Sequence, residues 1–129
     1  MNRFVIDAYA WVEYFGGSLL GEKVKSIVEN TSNEIFTNVL TIAEMASHFE
    51  RKGIAFVEAK RIIFSLSTIY IIDETFAEDA GKLHAKIKPL RKHMGLADVI
   101  ILLTARKLGA KVVTGDEDFK GLKEVIMIK

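Results

Sequence analysis

Residues Gly95 to Phe119 read GLADVIILLTARKLGAKVVTGDEDF, and the fold follows from how this stretch divides. From Leu96 to Ala105 every residue is apolar except Asp98 and Thr104. A helix that is apolar nearly all round belongs in a core. Asp98 falls in its first turn, where a carboxylate suits the positive end of the helix dipole. Gly109 ends the pattern, and the β-branched run from Lys111 to Thr114 reads as a buried strand. That strand runs into Gly115-Asp116-Glu117-Asp118, three carboxylates in four residues. Helix, strand and a carboxylate at the strand's C-terminal end make one unit of an α/β sheet. Open α/β sheets hold their sites at that edge.

Upstream, the same alternation repeats. Phe4-Val5-Ile6 is a short apolar run ending at Asp7, and Ala8 to Phe15 follows with helical spacing until Gly16-Gly17. Ser18 to Glu29 is a second amphipathic helix, and Glu34 to Thr37 a second strand. Asn38 is placed to cap a helix from Val39 to Lys52. A helix over Ile54 to Leu66, a strand over Thr68 to Ile72 and a helix from Thr75 to about Lys88 come next, with Pro89 ending the last. Glu124 to Ile128 is the closing strand. The order β-α-α-β-α-α-β-α-α-β-β predicts one α/β domain over residues 1–129. Its central sheet of about four to five short strands should be mostly parallel, with helices on both faces and right-handed crossovers.

Composition narrows the class. Half of the 129 residues are hydrophobic, yet no segment has the roughly 18 consecutive apolar residues of a membrane span. The first residues, MNRFVID, carry no signal-peptide core, and there is no cysteine for a disulfide, a thiolate metal site or a thiol nucleophile. The expectation is a soluble cytoplasmic protein that does not enter a membrane. Neither G-x-G-x-x-G nor a P-loop is present, which argues against nucleotide binding.

The acids carry the chemistry. Asp7 ends the first strand, Glu44 lies on the helix after the second, Asp98 opens the apolar helix, and Asp116 follows the strand Lys111 to Thr114. In a parallel sheet the C-terminal strand ends share one edge, and the following helices start there. Each acid also has a plainer reading: Asp7 as a helix cap, Glu44 as solvated surface. Asp98 is the most telling, because a carboxylate on an apolar helix needs a partner. Clustered carboxylates repel and raise one another's pKa. A hard divalent cation with oxygen ligands, Mg²⁺ or Mn²⁺, relieves that repulsion.

Strand-FVID at the start, TIAEMA in the middle, LADVIILLTARKLGAKVVTGDEDF near the end and a closing short strand resemble a PIN-domain ribonuclease. The nearest pattern is that of VapC-type toxins of prokaryotic toxin–antitoxin pairs. The resemblance covers essentially the whole chain. It implies a metal-dependent endoribonuclease in which Asp7, Glu44, Asp98 and Asp116 are the acidic quartet, catalytic and metal-ligating. Thr114 matches the family's strand-end hydroxyl, and Asp118 an acid present in many members. The connection from Pro89 to Leu96 departs from the commoner Gly/Ser-rich form. The resemblance also implies an RNA substrate cut by a metal-activated water, a homodimer and an antitoxin protein as partners.

Between Ala80 and Ala97 there is no acid, while Lys82, Lys86, Lys88, Arg91 and Lys92 are basic, with His84 and His93 among them. Such a run leading to Asp98 suits a polyanion, and Lys86, Lys88, Arg91 and Lys92 are its expected RNA contacts. A solvated helix face is the plainer reading. Trp11, Tyr14, Phe15 and the helix Ile54 to Leu66 offer apolar surface that a core uses first and a partner second. A non-catalytic PIN-like RNA-binding or assembly subunit is the alternative, disfavoured because all four acids are present. A haloacid-dehalogenase phosphatase would need a second Asp two residues after Asp7, where Tyr9 stands.

Overall fold

The computed structural model describes residues 2–129. Its strands are β1 (Asn2–Ile6), β2 (Asn33–Asn38), β3 (Thr68–Tyr70), β4 (Lys111–Thr114) and β5 (Val125–Met127). They form one five-stranded sheet in the order β3-β2-β1-β4-β5, and every neighbouring pair is parallel. The helices are α1 (Ala8–Gly16), α2 (Leu19–Val28), α3 (Val39–Arg51), α4 (Val57–Leu66), α5 (Glu74–Ile87) and α6 (Leu96–Leu108), with a short 3₁₀ turn at Glu117–Phe119. This is the α/β order expected from the sequence, with the sheet wholly parallel.

Successive strand residues point to opposite faces, so each buried dipeptide serves two cores. On β1, Ile6 joins Trp11, Val24, Met45 and Ile63 in the cluster under α1 to α4. Its neighbour Val5 joins Val99, Leu102 and Ala105 in the cluster under α6. Val113 and Val112 divide the same way on β4. Burial on both faces is why these strands read as continuous apolar runs rather than alternating ones.

Two elements stop short of the sequence reading by two residues or more at one end. The fourth helix begins at Val57 rather than Ile54, because Gly53, at φ 69°, and the Ile54 N–H, which donates to the Phe49 carbonyl at 3.0 Å, still belong to the turn that closes α3. The third strand stops at Tyr70 rather than Ile72. Tyr70 pairs with Asn38, where β2 ends and α3 takes over, so the edge strand has no further partner. No helix among the described residues is long and apolar enough to cross a membrane.

Candidate metal centre

The β1–β4 register sets Ile6 beside Val113, so Asp7 and Thr114 are the next rung. The Asp7 N–H still donates to the Val113 carbonyl at 3.3 Å. Its carboxylate then does two things. Oδ1 accepts from the Ala10 N–H at 2.9 Å, capping α1, and Oδ2 accepts from the Thr114 hydroxyl. The cap reading and the site reading of Asp7 are therefore the same geometry. The Thr114 oxygen also accepts from the Asp116 N–H at 3.0 Å, and Asp116 Oδ1 accepts from the Asp118 N–H at 2.9 Å. A continuous hydrogen-bond chain thus links Asp7, Thr114, Asp116 and Asp118. Gly115 allows this path. A Cβ there would fall 2.2 Å from Tyr9 Cε1, so the Tyr9 ring can lie against the chain only because the residue is glycine.

Asp98 and Glu44 arrive on helices. Asp98 Oδ2 accepts from the Gly95 N–H at 3.1 Å, closing the first turn of α6. Asn38 caps α3 through Leu40 at 2.8 Å and donates its amide to Thr104 Oγ1 on α6, also at 2.8 Å. The two polar residues of the apolar helix thus have separate jobs. Asp98 faces the site, and Thr104 ties α6 to the root of the helix that carries Glu44.

The acids share one field. Burial pushes the Asp7 carboxyl up to about 7, against hydrogen bonds from Thr114 and Ala10 that pull it down, and Asp116 and Glu44 add repulsion. Glu44 is raised by desolvation and then by Asp98 and Asp116. Asp98 is raised by desolvation, partly offset by the Gly95 N–H, with Asp116 and Asp118 repelling it. Carboxylate oxygens of Asp98, Asp116 and Asp118 lie within 4.8 Å of one another. Among the described residues, none of these five acids forms a salt bridge. Hard oxygen donors, crowded together without a salt bridge, fit Mg²⁺ or Mn²⁺ and give no thiolate or imidazole for a softer ion.

The structure redistributes weight among the expected residues. Asp7, at 7 % exposure, is the buried carboxylate, whereas Asp98 is half-buried because α6 starts at the open edge of the sheet. Asp118, expected to be secondary, belongs to the tightest group. Lys86, Lys88 and Lys92 are exposed, while Arg91 turns its guanidinium to the carbonyls of Asp118 and Lys120. Sequence reasoning missed a second flank. A cavity of about 490 Å³ beside Glu44 is lined by Tyr9, Val12, His48 and Arg51 among others. The spacing of Glu44, His48 and Arg51, four and then three residues, was the available signal for one helix face.

Comparison with known proteins agrees with this geometry. The PIN domain family model matches residues 4–125. A toxin–antitoxin complex from Klebsiella pneumoniae is similar in structure, with a TM-score of 0.76 and 21 % identity over 97 % of each chain. Mycobacterium tuberculosis VapC20, a sarcin-ricin loop cleaving toxin, has a TM-score of 0.75 and 17 % identity, over 95 % of this chain and 98 % of its own. DNA-bound VapBC from Salmonella typhimurium has a TM-score of 0.73 and 18 % identity over 100 % of both chains. No curated protein matches the sequence. With the family model spanning nearly all of the chain and the acids gathered at one edge of a parallel sheet, the chain belongs to the PIN domain family.

Proposed function

We propose that this PIN domain is a divalent-metal-dependent endoribonuclease acting as the toxin of a toxin–antitoxin pair. The observation that carries the reading is the group of five acids, Asp7, Glu44, Asp98, Asp116 and Asp118, crowded at one sheet edge without a salt bridge among the described residues. Such a group is costly unless a cation occupies it.

Asp98, Asp116 and Asp118 would hold Mg²⁺ or Mn²⁺, with Asp7 a further ligand from the buried side. A bound ion of this kind supplies an activated water and neutralises charge on the scissile phosphate. Thr114 keeps the Asp7 carboxylate and the Asp116 backbone in one arrangement, so the ligands are held before any ion arrives. Glu44 lies on the exposed flank, where its raised proton affinity suits it to orient the attacking water and take its proton. Lys86, Lys88 and Lys92 provide a basic approach for the RNA backbone. The fold shared with a toxin that cleaves the sarcin-ricin loop supports RNA as substrate.

Folds shared with toxin–antitoxin complexes support an antitoxin as partner; a second copy of the chain is the further partner that the family resemblance implies. The exposed apolar side chains of Ile54, just before α4, and of Val57 and Phe64 on it are surface for such contacts.

Incubating structured RNA with the protein in Mg²⁺ or Mn²⁺ tests the reading. Internal cuts are expected, lost with EDTA and reduced at least about a hundred-fold by Asp116→Asn, the scale of several kcal/mol of lost charge stabilisation. Cleavage that survives both treatments would refute it.

A further inference from the structure

Arg91 stands in a run of bases suited to phosphate, yet its side chain is engaged with the protein. Nη1 donates to the Asp118 carbonyl at 3.2 Å and Nη2 to the Lys120 carbonyl at 2.9 Å. Among the described residues, Lys86, Lys88 and Lys92 make no side-chain hydrogen bond or salt bridge. The two carbonyls flank Phe119, whose ring is buried with Met94 in the cluster beneath α6. Gly121 closes the turn at φ +92°, and a Cβ there would come within 3.3 Å of Nη2. The guanidinium therefore fits a narrow seat made of backbone. A rigid fork of donors can span two carbonyls, which a single ammonium on a flexible stem does not reproduce.

The other end of the clamp is equally fixed. The Arg91 N–H donates to Ile87 at 2.9 Å, the Met94 N–H donates to Arg91 at 3.1 Å, and Gly95 then holds Asp98. One connection between α5 and α6 thus governs two carboxylates: Asp98 directly, and Asp118 through Arg91.

We infer that Arg91 is a positioning residue for the metal, locking the turn that presents Asp118, rather than a contact to RNA. This rests on the carboxylate metal site proposed above. Coulomb's law alone gives the opposite sign, since removing a cation next to a cation site should tighten metal binding. Positioning requires that it weaken.

Calorimetric titration with Mn²⁺ in the absence of RNA separates the two. The proteins are wild type, Arg91→Lys and Arg91→Ala, each with and without Asp118→Asn, with circular dichroism to verify folding. Both Arg91 substitutions should weaken Mn²⁺ binding about ten-fold, as loss of a partner that orients a metal ligand does. In the Asp118→Asn background the further loss should be less than about two-fold, because the effect passes through Asp118. Unchanged or tighter binding by both variants, in a wild type that binds, overturns the inference and leaves the metal site standing. So does full rescue by lysine, or undiminished loss in the Asp118→Asn background. Absence of Mn²⁺ binding by the wild type overturns the metal site and the inference with it.

Discussion

Asp7 and Asp118 reach one site by opposite means. Asp7 is part of the fold. It extends the β1–β4 ladder, caps α1, accepts from Thr114 and is almost wholly buried. Asp118 belongs to a 3₁₀ turn of three residues, held by the Asp116 side chain and by Arg91 from another loop. The difference teaches that a carboxylate site can be anchored on one side by the core and trimmed on the other by a local clamp. The cost of desolvating a charge is then borne mainly where the backbone cannot yield. Asp7 is raised to about 7, and Asp118 sits where water can reach it.

The contrast is broken most forcefully at Asp7. Asp7→Asn keeps an oxygen for the Ala10 N–H and removes the buried charge. A folded pKa above the unfolded value means that the folded chain binds more protons between them, so stability falls as pH rises through that window. In EDTA the wild type should lose stability on the order of 4 kcal/mol between about pH 4 and 7, and Asp7→Asn should flatten that decline. Urea melts at several pH values measure it. A wild-type profile as flat as that of the variant would show that the carboxyl is not strained by burial. RNA cleavage by Asp7→Asn should be lost.

Thr114→Val tests the link between the two halves. It leaves the Asp7 oxygen and the Asp116 N–H without their shared partner, and should cost roughly 1–3 kcal/mol by thermal melting. Gly115→Ala pushes a methyl into the Tyr9 ring and should cost about 1–3 kcal/mol, with Tyr9→Ala restoring most of it. At the other end of the scale, Asp118→Asn should change stability by under about 0.5 kcal/mol. If Asp118→Asn destabilises as much as Thr114→Val, the division into a core anchor and a surface clamp is wrong.

Much of the fold was legible because its signals are local. Val5-Ile6 and Val112-Val113 announce two-faced burial within a few residues, and the helices announce their apolar spacing. Acids at the ends of short strands could be placed on one edge by topology alone. Degree of burial could not. Asp98 looked buried because its helix is apolar, but the first turn of α6 lies at the open edge. The burial of Asp7 depends on α1 and on β4, which is more than a hundred residues away in the chain. The seat of the Arg91 side chain was not legible for a related reason. A run of bases looks alike whether it faces solvent or a carbonyl pair 27 and 29 residues further on. The Asn38–Thr104 bond, joining residues 66 apart, left no local trace either.

The proposed function stands on these carboxylates holding a divalent cation. Titrating Mn²⁺ into wild type and Asp98→Asn by calorimetry tests it without any knowledge of the RNA. Saturable binding by the wild type is expected, with at least about a ten-fold loss in a variant that remains folded. Equal affinity in the two proteins would contradict it.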